Sequence, residues 1–266
     1  MDREADIARV ASLGCWRGAP RIEKLAGGMT NRNWLVRDAA GAHVARLGED
    51  LPHHMVLRWH EHAVARAAGE ALGILHNAAQ GFAGERRNAL DKAGWHALAA
   101  RCGADLDQIQ PGLAQRVADE LAWLDAHWSG DLPHSVIHAD LFPDNVLMLG
   151  DEVTGLIDFY FSCTDIRAYD LAVTHSAWCF SPDGRSFDSA VSEALLQGYH
   201  ANLTLNPEEI QALPILARGS ALRFTLSRAY DWINTPPDAL VTRKDPMAFA
   251  RRLTFYADPA HAGLFG

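Results

Sequence analysis

The segment VIHADLFPDNVLML, residues 136–149, is apolar at both ends but carries ionisable and amide side chains between them. Those polar residues are His138, Asp140, Asp144 and Asn145. An unpaired carboxylate in an apolar setting is destabilising by several kcal/mol, because it loses its hydration without gaining partners. A fold that contains this segment must therefore supply the cluster with hydrogen-bond partners, a metal ion or water.

The composition is that of a globular chain and excludes several functional classes. Hydrophobic residues make up 48% and charged residues 21% of the 266 residues, enough for one large domain or two lobes. The net charge of −9 leaves no basic footprint for nucleic acid. No apolar run approaches the length of a membrane span, and the N-terminus has no signal-peptide core. The cysteines are widely spaced without a CxxC motif. We therefore expect a soluble, cytoplasmic protein with reduced thiols.

The hydrophobic patterns predict an α+β protein with two lobes. Strand-like segments broken by glycine turns between residues 21 and 47 predict a three-stranded antiparallel sheet in a small lobe, residues 1–68. A proline-free, alanine-rich run from residue 55 to residue 78 predicts one helix, or two that meet near Gly69. The larger lobe, residues 69–266, is predicted to be mostly helical, with one β-hairpin that joins VLMLG to VTGLIDF.

The spacing of the polar cluster indicates phosphoryl-transfer chemistry. Asn145 follows Asp140 by five residues, and Asp158 comes directly after the predicted hairpin. Protein kinases have the same order in H-R-D-L-x-x-x-N and D-F-G. Phosphoryl transfer requires positioning and charge neutralisation, so Asp140 is suited to orient an acceptor hydroxyl and accept its proton. The oxygens of Asn145 and Asp158 are suited to Mg²⁺, which prefers hard oxygen ligands.

Other interpretations of these residues are open at this point. Any one of them could cap a turn, as Asp and Asn commonly do, although four in this order are harder to explain that way. His138 is a candidate for acid–base catalysis, but a structural hydrogen bond to the loop backbone is the simpler role. A zinc hydrolase is disfavoured because the 13 histidines form no HExxH pattern.

Longer stretches around this cluster carry a family resemblance. HADLFPDN, GLIDFYFSCTDIRAYDLAV and WCF together resemble the aminoglycoside phosphotransferase and choline kinase superfamily. Within it, residues from roughly 69 to 255 resemble bacterial homoserine kinases in long matches, among them RCGADLDQIQPGLA and RAYDWINTPPDALVTRKDP. The resemblance implies a two-lobed, protein-kinase-like fold that uses ATP and Mg²⁺ to phosphorylate the hydroxyl of homoserine, an early step of threonine synthesis.

The resemblance also implies roles for individual residues. Asp140 takes the place of the catalytic aspartate, and Asn145 and Asp158 take the places of the metal ligands. Asp170, in YDLAV, matches an acidic position that supports the catalytic loop in families of this type. A helix N-cap is the alternative role for Asp170.

The N-terminal segment is similar to the nucleotide-covering lobe of that superfamily, with departures. LAGGMTNRNWLV lacks G-x-G-x-x-G, but Gly27, Gly28 and Asn31 could present backbone N–H groups to phosphate. Arg46 in HVARL stands where protein kinases have lysine, and Glu61 is its expected ion-pair partner. Two further strands and a hinge are not found in the sequence. We therefore expect a shortened lobe, and a monomer or a homodimer formed through its exposed edge.

Charged residues late in the chain suggest how an amino-acid acceptor would bind. A zwitterion such as homoserine requires a cation for its carboxylate and an acid for its ammonium group. Arg223 and Asp231, in ALRFTLSRAYDW, are the candidates that we select. Arg228, Arg243 and Lys244 could also supply the cation.

Two further functions are alternatives to a homoserine kinase. Choline, ethanolamine or another small alcohol could be the acceptor; choline would require an aromatic cage, for which the available side chains are Trp178, Tyr199, Tyr230 and Trp232. A catalytically silent nucleotide-binding protein is the other alternative, because the hinge strands are missing.

Overall fold

In a computed structural model of the protein, the chain divides into two units, Met1–Leu57 and Arg58–Gly266. The structure describes residues 7–8, 10–12, 18–24, 32–39, 41–47, 62–128, 130–149, 151–236 and 243–265. The division lies before the predicted boundary at residues 68 and 69. The reason is that helix α1 (His62–Ala78) runs through Gly69 as one helix and belongs wholly to the second unit.

The first unit contains the predicted three-stranded antiparallel sheet. Strands β1 (Arg21–Lys24), β2 (Arg32–Asp38) and β3 (Gly41–Leu47) lie in the order β1-β2-β3. Both pairs are antiparallel, which confirms the predicted sheet. Val36 of β2 is fully buried against Val10.

The nucleotide-binding residues predicted in this part of the chain are mostly not among those described. Gly27, Gly28, Asn31 and Glu61 lie outside the described residues. Arg46 lies in β3, where its backbone pairs with Asn33 of β2. Their roles therefore stay predictions.

The second unit is mostly helical, as predicted. Its helices after α1 are α2 (Lys92–Cys102), α3 (Leu106–Ile109), α4 (Leu113–His127), α5 (Arg167–Trp178), α6 (Ser189–His200), α7 (Pro207–Asn234) and α8 (Met247–Ala257). Every residue of α5 from Ala168 to Trp178 is buried, so this helix is the centre of the core. None of the described helices combines the length and the apolar character that a membrane span requires.

Two small sheets connect these helices. Strand β4 (His134–Ile137) pairs antiparallel with β7 (Cys163–Ile166). Between them in sequence, β5 (Val146–Leu149) and β6 (Glu152–Leu156) form the predicted hairpin. The loop from β4 to β5 contains the polar cluster of the sequence, and the hairpin returns the chain to it.

Helices α1 and α6 pack with unusually close backbones because glycine stands at both contact points. A Cβ atom on Gly69 would lie 2.1 Å from the Leu195 carbonyl oxygen, and one on Gly198 would lie 2.0 Å from the Arg66 carbonyl oxygen. Real Cβ atoms do not approach backbone oxygens this closely, so any side chain here would force the helices apart. The two glycines set the distance between α1 and the rest of the core.

We predict that Gly198→Ala destabilises the protein although it improves helix propensity. Alanine favours a helix over glycine by about 1 kcal/mol. Overpacking a backbone contact costs roughly 1–3 kcal/mol, and the predicted overlap is severe. We expect the free energy of unfolding, measured by urea titration, to fall by about 2 kcal/mol.

Gly130→Ala is the matched control, because a Cβ at Gly130 has no atom within 4 Å. It should change the free energy of unfolding by no more than about 0.5 kcal/mol. A Gly198→Ala protein as stable as the parent would contradict the close packing of α1 and α6.

Candidate active site

The loop between β4 and β5 brings Asp140, Asn145 and Asp158 together. A 3₁₀ turn at Pro143–Asn145 ends the loop, and the Asn145 side-chain Nδ2 donates to the Asp140 carbonyl oxygen at 2.8 Å. The Asn145 carbonyl oxygen accepts from the Ile157 backbone N–H at 3.0 Å, which places Asn145 beside the residue before Asp158. The hairpin thus brings the two predicted metal ligands to the same place.

The functional oxygens of these residues are not used in internal contacts. Among the described residues, Asn145 Oδ1 and the carboxylates of Asp140 and Asp158 accept no hydrogen bond. Asp158 is exposed and has a left-handed backbone, with φ 63° and ψ 57°, a conformation that Asp adopts more readily than most residues. The site therefore presents acceptor oxygens to a ligand.

The pKa of the Asp140 carboxyl is raised from its ordinary value. Burial is the largest cause, and the nearby Asp158 carboxylate also raises this pKa. The charges of Arg223, His138 and Lys244 lower it, but they do not outweigh burial. Asp140 is thus more basic than an exposed aspartate.

His138 is fully buried, and both of its ring nitrogens bond within the loop region. Nε2 lies 3.0 Å from the Ile157 carbonyl oxygen, which can only accept, so the proton is on Nε2. Nδ1 then accepts from the Asp140 backbone N–H at 3.3 Å. The ring links the start of the loop to the end of β6, which is a positioning role.

Asp170, on α5, holds the loop by its backbone. Its fully buried carboxylate accepts from the backbone N–H groups of His138 at 2.6 Å and Ala139 at 2.7 Å. The His76 Nε2 of α1 lies 3.0 Å from the same carboxylate. Ala139 has φ 63°, a left-handed conformation that is strained by roughly 1–2 kcal/mol in a residue with a Cβ atom. The hydrogen bonds to Asp170 hold Ala139 in that conformation.

The pKa of Asp170 lies below its ordinary value despite complete burial. Burial is the largest influence and acts to raise the pKa. The hydrogen bond and charge of His76 lower it, as do the charge and backbone N–H of His138, and together they prevail. Asp170 is therefore an ionised anchor.

Two further side chains, one from α5 and one from α7, hold carbonyl groups of the loop. The Arg223 Nη1 of α7 donates to the Ala139 carbonyl oxygen, and the Trp178 Nε1 of α5 donates to the Leu141 carbonyl oxygen at 2.9 Å. Arg223 is only 1% exposed, so its guanidinium lies beneath the loop. Asp231 lies on an exposed part of the same helix.

Three of the four aromatic residues considered for a choline cage have structural partners in the second unit. Trp178 and Tyr199 are buried in the core, and the Tyr199 hydroxyl bonds to His76 Nδ1 at 2.9 Å. The Tyr230 ring is covered by the Arg101 guanidinium, 4.0 Å from its centroid. These three side chains have structural partners and do not line an open cage.

Sequence reasoning missed the loop-holding roles of His76 and Trp178. Each contacts a residue of the site that lies at least 37 positions away in the sequence, so no local motif could have predicted these contacts. The sequence offers one indication for His76, which is a histidine at the end of an otherwise apolar helix face. That pattern alone does not distinguish a core histidine from one that supports a site.

Solved structures with a similar fold are small-molecule kinases. A choline/ethanolamine kinase family protein from Mesorhizobium loti matches with a TM-score of 0.57 and 18% identity, over 98% of this chain and 97% of that one. An ethanolamine kinase from Plasmodium vivax matches with a TM-score of 0.56 and 16% identity, over 92% and 83%. These likenesses confirm the protein-kinase-like α+β fold predicted from the sequence.

The chain belongs to the phosphotransferase enzyme family, whose model matches residues 42–213. It is 50% identical over 212 residues to a homoserine kinase of Allorhizobium ampelinum, covering 80% of this chain and 66% of that protein. It is 52% identical over 194 residues to a homoserine kinase of Zymomonas mobilis, covering 73% and 60%. The matches thus span about three fifths to two thirds of these relatives. The predicted family resemblance is confirmed.

We predict that Asp170→Asn destabilises the protein and flattens its acid sensitivity. Removing one partner from a buried charge network costs about 3 kcal/mol in unfolding free energy. Because the folded pKa of Asp170 is lowered, its ionisation contributes stability above the unfolded pKa, near 4, and this is lost as the pH falls through the folded pKa.

Urea titrations of both proteins from pH 7 to acid measure this. The parent should lose unfolding free energy below about pH 4, and the variant should lose less. Asp231→Asn, which removes an exposed carboxylate, is the control and should follow the parent. Equal acid sensitivity in the parent and Asp170→Asn would contradict the ionised anchor.

Proposed function

We propose that the protein is a kinase that transfers the γ-phosphoryl group of ATP to the hydroxyl of L-homoserine. The observation that carries the proposal is the loop in which Asp140 meets Asn145 and Asp158, all with free acceptor oxygens. The choice of L-homoserine is supported by the homoserine kinases that are about 50% identical to this chain. The reaction would supply threonine synthesis in the cytoplasm.

Asp140 is the proposed catalytic residue. Its carboxylate accepts a hydrogen bond from the acceptor hydroxyl and orients the oxygen toward the γ-phosphorus. As the new oxygen–phosphorus bond forms, the bond to the β-phosphate bridging oxygen breaks and ADP leaves; the hydroxyl proton passes to Asp140. His138, Asp170 and Arg223 are positioning residues, because they hold the backbone of residues 138 to 140.

The residues near Asp140 fit a magnesium ion. Asn145 Oδ1 and the Asp158 carboxylate are hard oxygen ligands at one place, which suits a cation that takes its other ligands from phosphate and water. Bound there, Mg²⁺ would neutralise phosphate charge during transfer.

Nucleotide binding by the first unit is part of the same proposal. Gly27, Gly28 and Asn31 would donate backbone N–H groups to the phosphates of ATP. Arg46 would bind phosphate oxygens through its guanidinium.

We predict that Asp140→Asn loses activity without losing stability. The Asp140 carboxylate makes no hydrogen bond within the described residues, so its amide should not disturb the fold. Loss of a general base lowers kcat by about 10²–10⁴-fold. ADP release from MgATP would be measured with L-homoserine, choline, ethanolamine and no acceptor, beside thermal unfolding of both proteins.

Each acceptor result has a distinct meaning. Turnover that depends on L-homoserine and vanishes in Asp140→Asn supports the proposal. Faster turnover with choline or ethanolamine than with L-homoserine would show that one of these alcohols is the acceptor instead. No turnover with any acceptor, from folded protein, would favour a silent nucleotide-binding protein.

We predict that Asp158→Asn raises the Mg²⁺ concentration needed for half-maximal ADP release, by about tenfold for the loss of one charged ligand interaction. Asp151→Asn is the matched control, because Asp151 is an exposed carboxylate at the opposite end of the same hairpin. An unchanged Mg²⁺ dependence in Asp158→Asn would remove Asp158 from the metal site.

A further inference from the structure

A group of cations lies beside the catalytic loop and takes no part in holding it. The Lys244 Nζ is 6.0 Å from the centroid of the Phe142 ring, two residues after Asp140. The Arg228 Cζ is 4.5 Å from the Phe249 centroid, and the Phe249 and Phe142 rings are 6.0 Å apart. Arg228 and Lys244 therefore each contact one of two neighbouring rings, and one of these rings belongs to the loop.

The electrostatics place both cations near the reacting carboxylate. The charge of Lys244 lowers the pKa of Asp140, against the larger effect of burial. Burial lowers the pKa of Arg228, while the charges of Asp245, Asp140 and Asp144 raise it. Both side chains are thus within electrostatic reach of the position assigned to the acceptor hydroxyl.

A third cation lies in the same group, and within the described part of the chain none of the three forms a direct ion pair. This cation, Arg252, lies with its Cζ 4.1 Å from the same Phe249 ring. It is 3% exposed, and its Nε has no hydrogen-bond partner. Burial, and then repulsion from Arg228, lowers the pKa of Arg252 to about 10. Like charges buried together are unfavourable unless an anion compensates them.

The polar contacts of these cations are to backbone carbonyl groups, which do not neutralise charge. The Arg228 Nη1 donates to the Asp245 carbonyl oxygen at 3.3 Å, and the Arg252 Nη2 donates to the Ser181 carbonyl oxygen at 3.0 Å. Within the described ranges, Arg228, Lys244 and Arg252 form no ion pair with a carboxylate.

Burial separates the cations that hold structure from those that a ligand can reach. Arg223 and Arg252 are 1% and 3% exposed. Arg228 is half-buried and Lys244 is exposed. A half-buried guanidinium presents a planar fork to a carboxylate, and a neighbouring ammonium adds a point charge.

We propose that Arg228 and Lys244 bind the carboxylate of the acceptor and thereby select an amino-acid alcohol over an amino alcohol without a carboxylate. The proposal rests on the proposed function, since it assigns the acceptor side of the same site. In L-homoserine a short carbon chain joins the hydroxyl to the carboxylate, so a hydroxyl at Asp140 and a carboxylate at this cation pair belong to one small molecule. A cationic acceptor such as choline would be repelled here.

The test compares two acceptors that differ only in the carboxylate. L-Homoserine and 3-aminopropan-1-ol would be assayed with the parent, Arg228→Met, Lys244→Met and Arg228→Lys. We expect each Met variant to raise KM for L-homoserine about tenfold or more, with a much smaller effect on kcat. The ratio of kcat/KM for L-homoserine over 3-aminopropan-1-ol should fall by a similar factor. Arg228→Lys should restore part of that ratio, because it keeps the charge.

Arg251→Met is the matched control. Arg251 is on α8, beside Arg252, and unlike Arg228 and Lys244 it forms an ion pair, with the Asp245 carboxylate at 3.5 Å. The Arg251→Met substitution removes one positive charge. It should leave the ratio of kcat/KM for the two acceptors within about twofold of the parent, as expected for a surface substitution. Loss of activity toward both acceptors by one factor in the Met variants would indicate a structural role and overturn the proposal.

The remaining outcomes separate this proposal from the proposed function. If the parent phosphorylates L-homoserine and neither Met variant changes KM, the carboxylate site is overturned and the kinase stands. If the parent phosphorylates no acceptor, the kinase fails, and calorimetric titration with L-homoserine tests the site alone. Binding to the parent that Arg228→Met abolishes would support the site; no binding to the parent, or equal binding to both, would overturn it.

Discussion

The hydrogen bonds from two successive backbone N–H groups to the Asp170 carboxylate fix the shape of the loop that carries Asp140. They place a buried anion where His138 and Ala139 turn, and they keep Ala139 in a left-handed conformation. The anion is tolerated because His76 and the backbone satisfy it. Without that anchor, the direction of the following Asp140 side chain would be unspecified.

The side chains that support the loop bind both its backbone N–H groups and its backbone carbonyl groups. Asp170 holds N–H groups, while Arg223 and Trp178 hold the carbonyl groups of Ala139 and Leu141. A loop whose polar backbone groups are bonded on both sides does not need regular secondary structure to be rigid. The carboxylates of Asp140 and Asp158 accept no hydrogen bond among the described residues, so the groups that hold the loop differ from those proposed to react.

What could be predicted from the sequence was mainly local. Asp140, Asn145 and Asp158 were brought together correctly because a short hairpin connects them, and its strands are visible as apolar runs around a turn. The three-stranded sheet and the α1 helix were also visible, although the sequence left open whether the helix breaks near Gly69. Glycine serves there to admit the backbone of α6, a fact that depends on a partner far along the chain.

Residues whose roles depend on distant contacts could not be placed. Arg223 was predicted as a substrate-binding cation; its contact with the Ala139 carbonyl oxygen, 84 residues away in the sequence, could not be predicted. Trp178 and Tyr199 looked like cage aromatics but are core residues. Charge and aromaticity identify what a side chain can do, while burial decides which of those roles is open to it, and burial is a property of the whole fold.

The continuity of α1 has a consequence for modularity. Among the described residues, every side chain that holds the loop, from His76 on α1 to Arg223 on α7, comes from the second unit, and α1 is uninterrupted from His62. A recombination point between the units must therefore lie upstream of that helix if the loop is to keep its supports. An exchange of the sequence before that point leaves all of these supports within one unit.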